Sequence, residues 1–310
     1  MKNNKITFSQ FLSVCFLSSL SSIMFIKNTP SVFTIVISVC VLLINLLVFL
    51  FYKGNLIKLL KPVCVFYLSL YCVYIIVKFS DYMNTALSYG PACLTIAVIL
   101  FFIYFCTVKG SEAVARASTV ISVFVIVGII YMFVCVFTNI DFRLSLTLPD
   151  EYNSVLILFI PSVLYILYYD SIINVKIKYY AVYSVIVILI IVFFLLISSG
   201  IESAYPIQHL PAISKIGVFK GSDCILLAVL TISCVFSVTS STVVLFRYSK
   251  HKYITNIIYI SSLLIISVII SFFKLFSFME KVVFAPVSLL VILFILIILS
   301  IPSKSMYKNS

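Results

Sequence analysis

The side chains of this 310-residue chain that could do chemistry are mostly hydroxyls set into long apolar runs. Ser18, Ser19, Ser21 and Ser22 lie together in the first run, and Pro161 and Ser162 lie in the middle of the sixth. Ser237, Thr239, Ser240 and Ser241 crowd the eighth, and Ser261 and Ser262 the ninth. Proline inside a helix removes a backbone donor and clashes with the preceding turn. Serine can hydrogen-bond the carbonyls so freed. The serines of the first run and the Pro161–Ser162 pair are therefore candidate break points, where backbone groups would become open to a ligand. The same residues also suit plain helix–helix contact, which favours small side chains.

Other chemistry is sparse. Glu112 and Arg116 are spaced i, i+4 and can pair on a helix surface, as a staple or as a docking or gating loop. Lys78 and Asp81 invite the same two readings at the outer end of the third run. His209 and His251 fall in loops assigned to opposite sides, so they cannot share a metal. The nine cysteines all lie in apolar runs, none forms C-x-x-C, and they read as small packing residues. There is no Ser-His-Asp arrangement on one face, no G-x-x-x-x-G-K-[ST] and no H-E-x-x-H. The chain is expected to be no enzyme, with no catalytic residue, metal or cofactor. No Asp, Glu, Lys, Arg or His falls at the middle of any run, so no proton relay of the usual intramembrane kind is visible.

The elements that must hold these residues follow from composition. Hydrophobic residues make up 64% of the chain and charged residues 10%, too few to cover a soluble domain that needs roughly 25%. A lipid bilayer resolves this, and in lipid a continuous apolar run must be a helix because every backbone group needs an internal partner. Barrel strands would alternate apolar and polar residues over about ten positions. Val185–Ile197 and Val282–Ile301 do not. Spans are expected at Phe8–Ile26, Ser31–Tyr52, Pro62–Phe79, Pro91–Val108, Ala117–Phe137, Ser154–Tyr169, Tyr179–Ser199, Asp223–Phe246, Tyr253–Phe273 and Val282–Ile301.

With the N-terminus in the cytoplasm, two thirds of the 21 Lys and Arg residues fall in cytoplasmic segments, as the positive-inside rule requires. Both ends are then cytoplasmic. This topology also accounts for the net charge of +12 without nucleic acid. The first run lacks an A-x-A-like site and reads as a span, not a cleaved signal. The longest loops, Asn139–Asn153 and Gly200–Ser222, lie outside, and Ile213–Phe219 could form a short surface helix.

The fold class expected is thus an all-α polytopic membrane protein of about ten transmembrane helices in one transmembrane domain, residues 1–310. Ten divides into five plus five, repeat one about 6–138 and repeat two about 153–302. An odd number per group inverts one repeat against the other, an architecture of many secondary transporters with discontinuous helices at matching positions. Those positions are the first and sixth spans.

A resemblance narrows the expectation. Lys109–Ala117 reads K-G-S-E-A-V-A-R-A and resembles the G-x-E-x-x-A-R loop of the spore germination permease family, the B subunits of germinant receptors. Lys78–Met83, Gly90–Pro91, Asn139–Pro149, Ile6–Gln10 and Gly217–Leu227 are similar to further segments of that family in the same order, with Asp223 at its acidic position. The resemblance implies the amino acid–polyamine–organocation superfamily and its five-plus-five inverted repeat. It implies a ligand site between spans 1, 3, 6 and 8. By position its residues are Ser18, Ser21, Ser22, Tyr71, Cys72, Ile160, Pro161, Ser162, Ser233 and Ser237.

It also implies receptor A and C subunits as partners, a small nutrient such as an amino acid as ligand, and a cell membrane or spore inner membrane as location. The family's G-x-G in the first span is replaced at Ser21 and Ile23, and its G-x-E in the sixth by Pro161, Ser162 and Val163. Three functions stay open: a nutrient-sensing receptor subunit, an amino-acid or amine permease, and an assembly protein with a degenerate pocket.

Overall fold

The computed structural model describes residues 5–25, 32–52, 54, 57–87, 92–136, 153–198, 222–247, 252–275 and 278–300. The surface-helix expectation at Ile213–Phe219, the Asn139–Pro149 and Gly90–Pro91 matches, and both histidines lie outside the described residues.

Continuous apolar sequence satisfies its own backbone only as helix, and helices account for nearly all of the described chain. They are α1 (Phe8–Ile23), α2 (Val32–Phe51), α3 (Ile57–Leu87), α4 (Ala92–Val108) and α5 (Ser111–Val136). The composite α6 follows, with an α-turn Asn153–Leu156, a 3-10 turn Ile157–Phe159 and an α-helix Ile160–Tyr168. Then come α7 (Ile177–Ser198), α8 (Ser222–Arg247) and α9 (Lys252–Phe272), and α10 (Ala285–Ser300) after a π-helical turn Met279–Phe284. Six of these are long and apolar enough to cross a membrane, and α1, α4, α6 and α10 are shorter apolar helices.

The surface confirms the solvent. Large apolar side chains such as Phe101, Phe124, Ile258 and Leu290 are more than half exposed, while the hydroxyls of Ser18, Ser19, Ser21 and Ser22 in α1 and of Ser237, Ser240 and Ser241 in α8 are fully buried. Water would not tolerate so much continuous apolar surface. Lipid does, so the protein is an all-α, membrane-embedded chain.

Local sequence sets several boundaries. Thr7 caps α1 in a capping box: its side chain accepts from Gln10 N at 3.4 Å and its N–H donates to Gln10 Oε1 at 3.1 Å. Just before the cap, Ile6–Thr7 forms a two-residue strand parallel to Ile172–Ile173. That pairing ties the start of α1 to the end of α6. Between α4 and α5, Gly110 takes φ 86°, a conformation glycine adopts at no steric cost, so the chain reverses within two residues. α5 therefore begins at Ser111 and carries Glu112 and Arg116, which lie before the expected start at Ala117.

Packing sorts the helices into a centre and a rim. In α1 every residue from Val14 to Ile23 is buried, and in α6 every residue from Val155 to Tyr168. Helices sequestered all round belong to a core. Around this pair stand α3 and α8, with 61% and 72% of their spans buried. α5 leans on α1 and α8, α10 on α6 and α3, and α4 and α9 pack on each other and against both α3 and α8. α2 and α7 close the remaining side against α6 and α1.

Candidate functional site

The hydroxyls of α1 and α8 meet over one tyrosine. The residues of this group share an aqueous chemistry but sit in a fully buried layer, so each needs a protein partner. Tyr71 projects from the buried stretch of α3 between the other two helices. Its hydroxyl donates to Ser18 O at 3.0 Å, lies 3.1 Å from Ser21 Oγ, and is hydrogen-bonded to Ser237 Oγ. Ser18 Oγ faces Ser240 Oγ across the α1–α8 contact at 3.5 Å. Ser21 and Ser22 also donate back to Ser18 O, at 2.8 and 3.2 Å. On the other flank of α1, Ser19 Oγ meets Tyr183 OH of α7 at 2.7 Å.

These bonds correct one expectation. The break anticipated among Ser18–Ser22 is not there. α1 runs unbroken through all four serines, whose hydroxyls return to carbonyls of their own helix or cross to neighbours, and it ends at Ile23 in a turn at Met24–Phe25. In α6 the winding does change, one turn ahead of Pro161. Proline cannot donate to Ile157 O, and the chain tightens to 3-10 over Ile157–Phe159.

The α6 candidates form a separate group. Ser162 Oγ donates to Asn45 Oδ1, and Asn45 Nδ2 donates to Leu158 O at 2.7 Å. Asn45 of α2 thus stabilises the altered turn and faces Ser162, away from the Tyr71 cluster. Tyr180 OH donates to Leu42 O at 2.7 Å next to it. Ile160 and Pro161 are fully buried in the same wall. Of the other residues assigned by position, Ser233 donates to Val229 O at 2.7 Å within its own helix, and Cys72 is buried beside Tyr259 and Thr242. The structure therefore unites Ser18, Ser21, Ser22, Tyr71 and Ser237, and sets Ser162 with Asn45.

Sequence reasoning missed Asn45 and Tyr183, and it noted Ser240 only as one of the eighth run's cluster, without assigning it to the site. Asn45 carried a signal, since it is the lone amide of a strongly apolar α2. Lys78 is a further correction. It was assigned to the outer end of its span, but α3 continues past Phe79 to Leu87 and Lys78 is fully buried within it, its Nζ 5.6 Å from the Tyr74 ring centre. The protein interior does hold a formal cation.

On the side of the Tyr71 cluster nearer the start of α1, aromatic rings pack into a plug. Phe49 packs on Tyr165 at 4.5 Å and on Tyr180 at 4.7 Å between ring centres, and Phe11 reaches both Tyr165 and Tyr168. This plug lies between the cluster and the Ile6–Ile172 strand pair. Glu112 and Arg116, on the first two turns of α5, are ion-paired with each other and take no part in the hydrogen bonds of the Tyr71 cluster. Among the described residues no three His, Cys, Asp or Glu side chains gather within reach of one metal ion.

Chemically, the cluster can orient neutral or zwitterionic polar groups through hydroxyl and carbonyl contacts. Its side chains are all uncharged, so it offers no general base. No protein-family model matches the chain, and no curated protein matches it.

Proposed function

We propose that the chain is the B subunit of a spore germinant receptor, a transporter-like sensor that binds a small nutrient of the amino-acid class. The observation that carries the reading is the convergence of Ser18 and Ser21, Tyr71 and Ser237 from α1, α3 and α8 on one buried point. Those are three of the four helices that the family resemblance names for the ligand, and the fourth, α6, holds its serine on Asn45 instead. The lack of a carboxylate there favours sensing over ion-driven pumping.

The same reading includes ten spans in two inverted repeats, about 6–138 and about 153–302, with both ends in the cytoplasm. Packing supports it. If α1 corresponds to α6 and α3 to α8, then α5 and α10 correspond too, and α5 rests on α1 and α8 where α10 rests on α6 and α3. α4 and α9 each meet both α3 and α8. An inverted repeat produces such exchange of neighbours. The aromatic plug then closes the cytoplasmic side of the site.

A second reading, an amino-acid or amine permease of the amino acid–polyamine–organocation superfamily, uses the same fold and cluster. Two measurements separate them. Purification from spore membranes should recover an A subunit and a C-subunit lipoprotein with the chain, and Ser237→Leu should abolish the nutrient response. Uptake of labelled amino acid against its gradient by the purified chain alone in vesicles would establish the permease instead.

A further inference from the structure

Two short stretches of extended backbone sit at the ends of the two most buried helices. Ile6–Thr7 leads into α1, and Ile172–Ile173 leaves α6 through the 3-10 turn Tyr169–Ser171. They pair in parallel, Ile6 with Ile172 and Thr7 with Ile173, and the Ile6 side chain is buried. A ladder joins backbone to backbone, so separating α1 from α6 on this side leaves backbone donors and acceptors without partners. Rings reinforce the pair. Phe8, next after Thr7, lies 6.1 Å from both Phe11 and Phe49 between ring centres. Tyr169, at the approach to the second strand, meets Tyr52 at 5.1 Å and Tyr165 at 5.7 Å. Gly54 closes on the same ring, where a Cβ would lie 2.7 Å from Tyr169 Cε1.

The Tyr71 cluster is placed asymmetrically with respect to this strap. From Phe8 to Ser18, α1 covers roughly 15 Å. From Ser22 to its last residue, Ile23, it covers roughly 1.5 Å. The cluster is thus at the end of α1, beside the closing turn in which Met24 N donates to Leu20 O at 3.0 Å and Phe25 N to Ser22 O at 3.2 Å. The change of winding in α6 is away from the strap as well. Ile160–Tyr168 is one helix that runs toward the strap, and the 3-10 turn Ile157–Phe159 precedes it. Such a turn inside a helix often marks a hinge. Movement there displaces Asn153–Leu156 and leaves the strand pair intact.

We propose that the Ile6–Thr7 and Ile172–Ile173 pair is a strap that stays closed while the Tyr71 cluster takes up its ligand, so that the ligand enters and leaves past Met24 and Phe25 and does not pass through the protein. The proposal rests on the ligand reading of the cluster given above and adds the direction of access. A permease has to release α1 from α6 on the strap side in each cycle. A sensor does not, and on the topology proposed above it samples the outside only.

Thiol labelling in oriented vesicles tests this. Cys15 is fully buried on α1 between Phe11 and Ser18, and Ser22→Cys puts a thiol next to the end of the helix. A charged methanethiosulfonate that does not cross membranes is added to one side at a time, and mass spectrometry reads which thiol has reacted. The Ser22→Cys thiol should react from the Met24 side alone. Ile6→Asp sets a carboxylate into the buried pair, and Cys15 should then react from the strap side, and from that side only, about tenfold faster or more. Ile6→Cys with Ile172→Cys, added to the Ser22→Cys protein, should form a disulfide, because paired positions on neighbouring strands lie about 5 Å apart. Oxidation of that protein should change neither the labelling at position 22 nor the binding of a labelled amino-acid pool by more than about twofold. The strap is overturned if the Ser22→Cys thiol reacts from the strap side or from neither side. It is also overturned if Ile6→Asp leaves Cys15 as unreactive as before, or if the disulfide abolishes binding and a reductant restores it. A protein that binds no amino acid, oxidised or reduced, removes the ligand reading, and the labelling still decides the strap.

Discussion

Deleting the Tyr71 hydroxyl by Tyr71→Phe tests whether that phenol organises the buried cluster. Three donors point at Ser18 O: Ser21 Oγ at 2.8 Å, Ser22 Oγ at 3.2 Å and Tyr71 OH at 3.0 Å. Removing the phenol leaves that carbonyl two partners and leaves Ser21 its bond within α1. Ser237 loses its cross-helix partner, and a serine in a helix can turn back to a carbonyl of the preceding turn. Interhelical hydrogen bonds inside membrane proteins average about 0.6 kcal/mol and reach about 1.7. Tyr71→Phe should therefore cost about 1 kcal/mol of stability and no more than about 2, and Ser21→Ala should cost less.

Unfolding by added detergent reports this through the reactivity of the buried thiols Cys15, Cys72 and Cys234. A double-mutant cycle of Tyr71→Phe with Ser237→Ala should give a coupling of about 0.6 kcal/mol. The nutrient response should fall about tenfold or more, beyond what the stability change explains. Zero coupling, or a Ser21→Ala cost equal to that of Tyr71→Phe, would refute a network centred on the phenol.

Asn45→Leu should destabilise by about 1–3 kcal/mol, because Leu158 O and Ser162 Oγ both lose their partner in a buried site, and much of that cost should vanish in a Ser162→Ala background. Equilibrium unfolding of the four proteins of that cycle checks it. Gly54→Ala should cost about 1–3 kcal/mol in the same assay, since φ is +80° and a Cβ would lie 2.7 Å from Tyr169 Cε1, and Tyr169→Ala should recover only the steric share. Glu112→Gln should change stability by no more than about 0.5 kcal/mol, because the pair with Arg116 is largely exposed, and raising the salt should erase even that.

The ten apolar runs translated into helices with small changes at their ends, and the exceptions have physical causes. α3 outran its expected end because Lys78, Asp81 and Asn84 lower local hydropathy without interrupting the backbone ladder. α5 began early because Gly110 could make the turn from α4 within two residues, a matter of one dihedral and not of hydrophobicity. The Ser18–Ser22 cluster looked like a break because serine often accompanies one, yet here the hydroxyls find carbonyls and tyrosines instead. Pro161 did signal a change of winding, since a missing donor acts whatever surrounds it.

Sequence by itself determined the solvent, the helical class and the list of polar side chains that apolar surroundings would force into partnership. Those properties are local: hydropathy, backbone hydrogen bonding and side-chain chemistry belong to each segment alone. Tertiary structure decided which polar groups share a partner. Tyr71 joined α1 to α8, Asn45 took Ser162 away from that cluster, and packing by neighbours from distant parts of the chain buried Lys78. Such pairings depend on which faces of separate helices meet, and helix-face contacts are set by the fit of all the helices together.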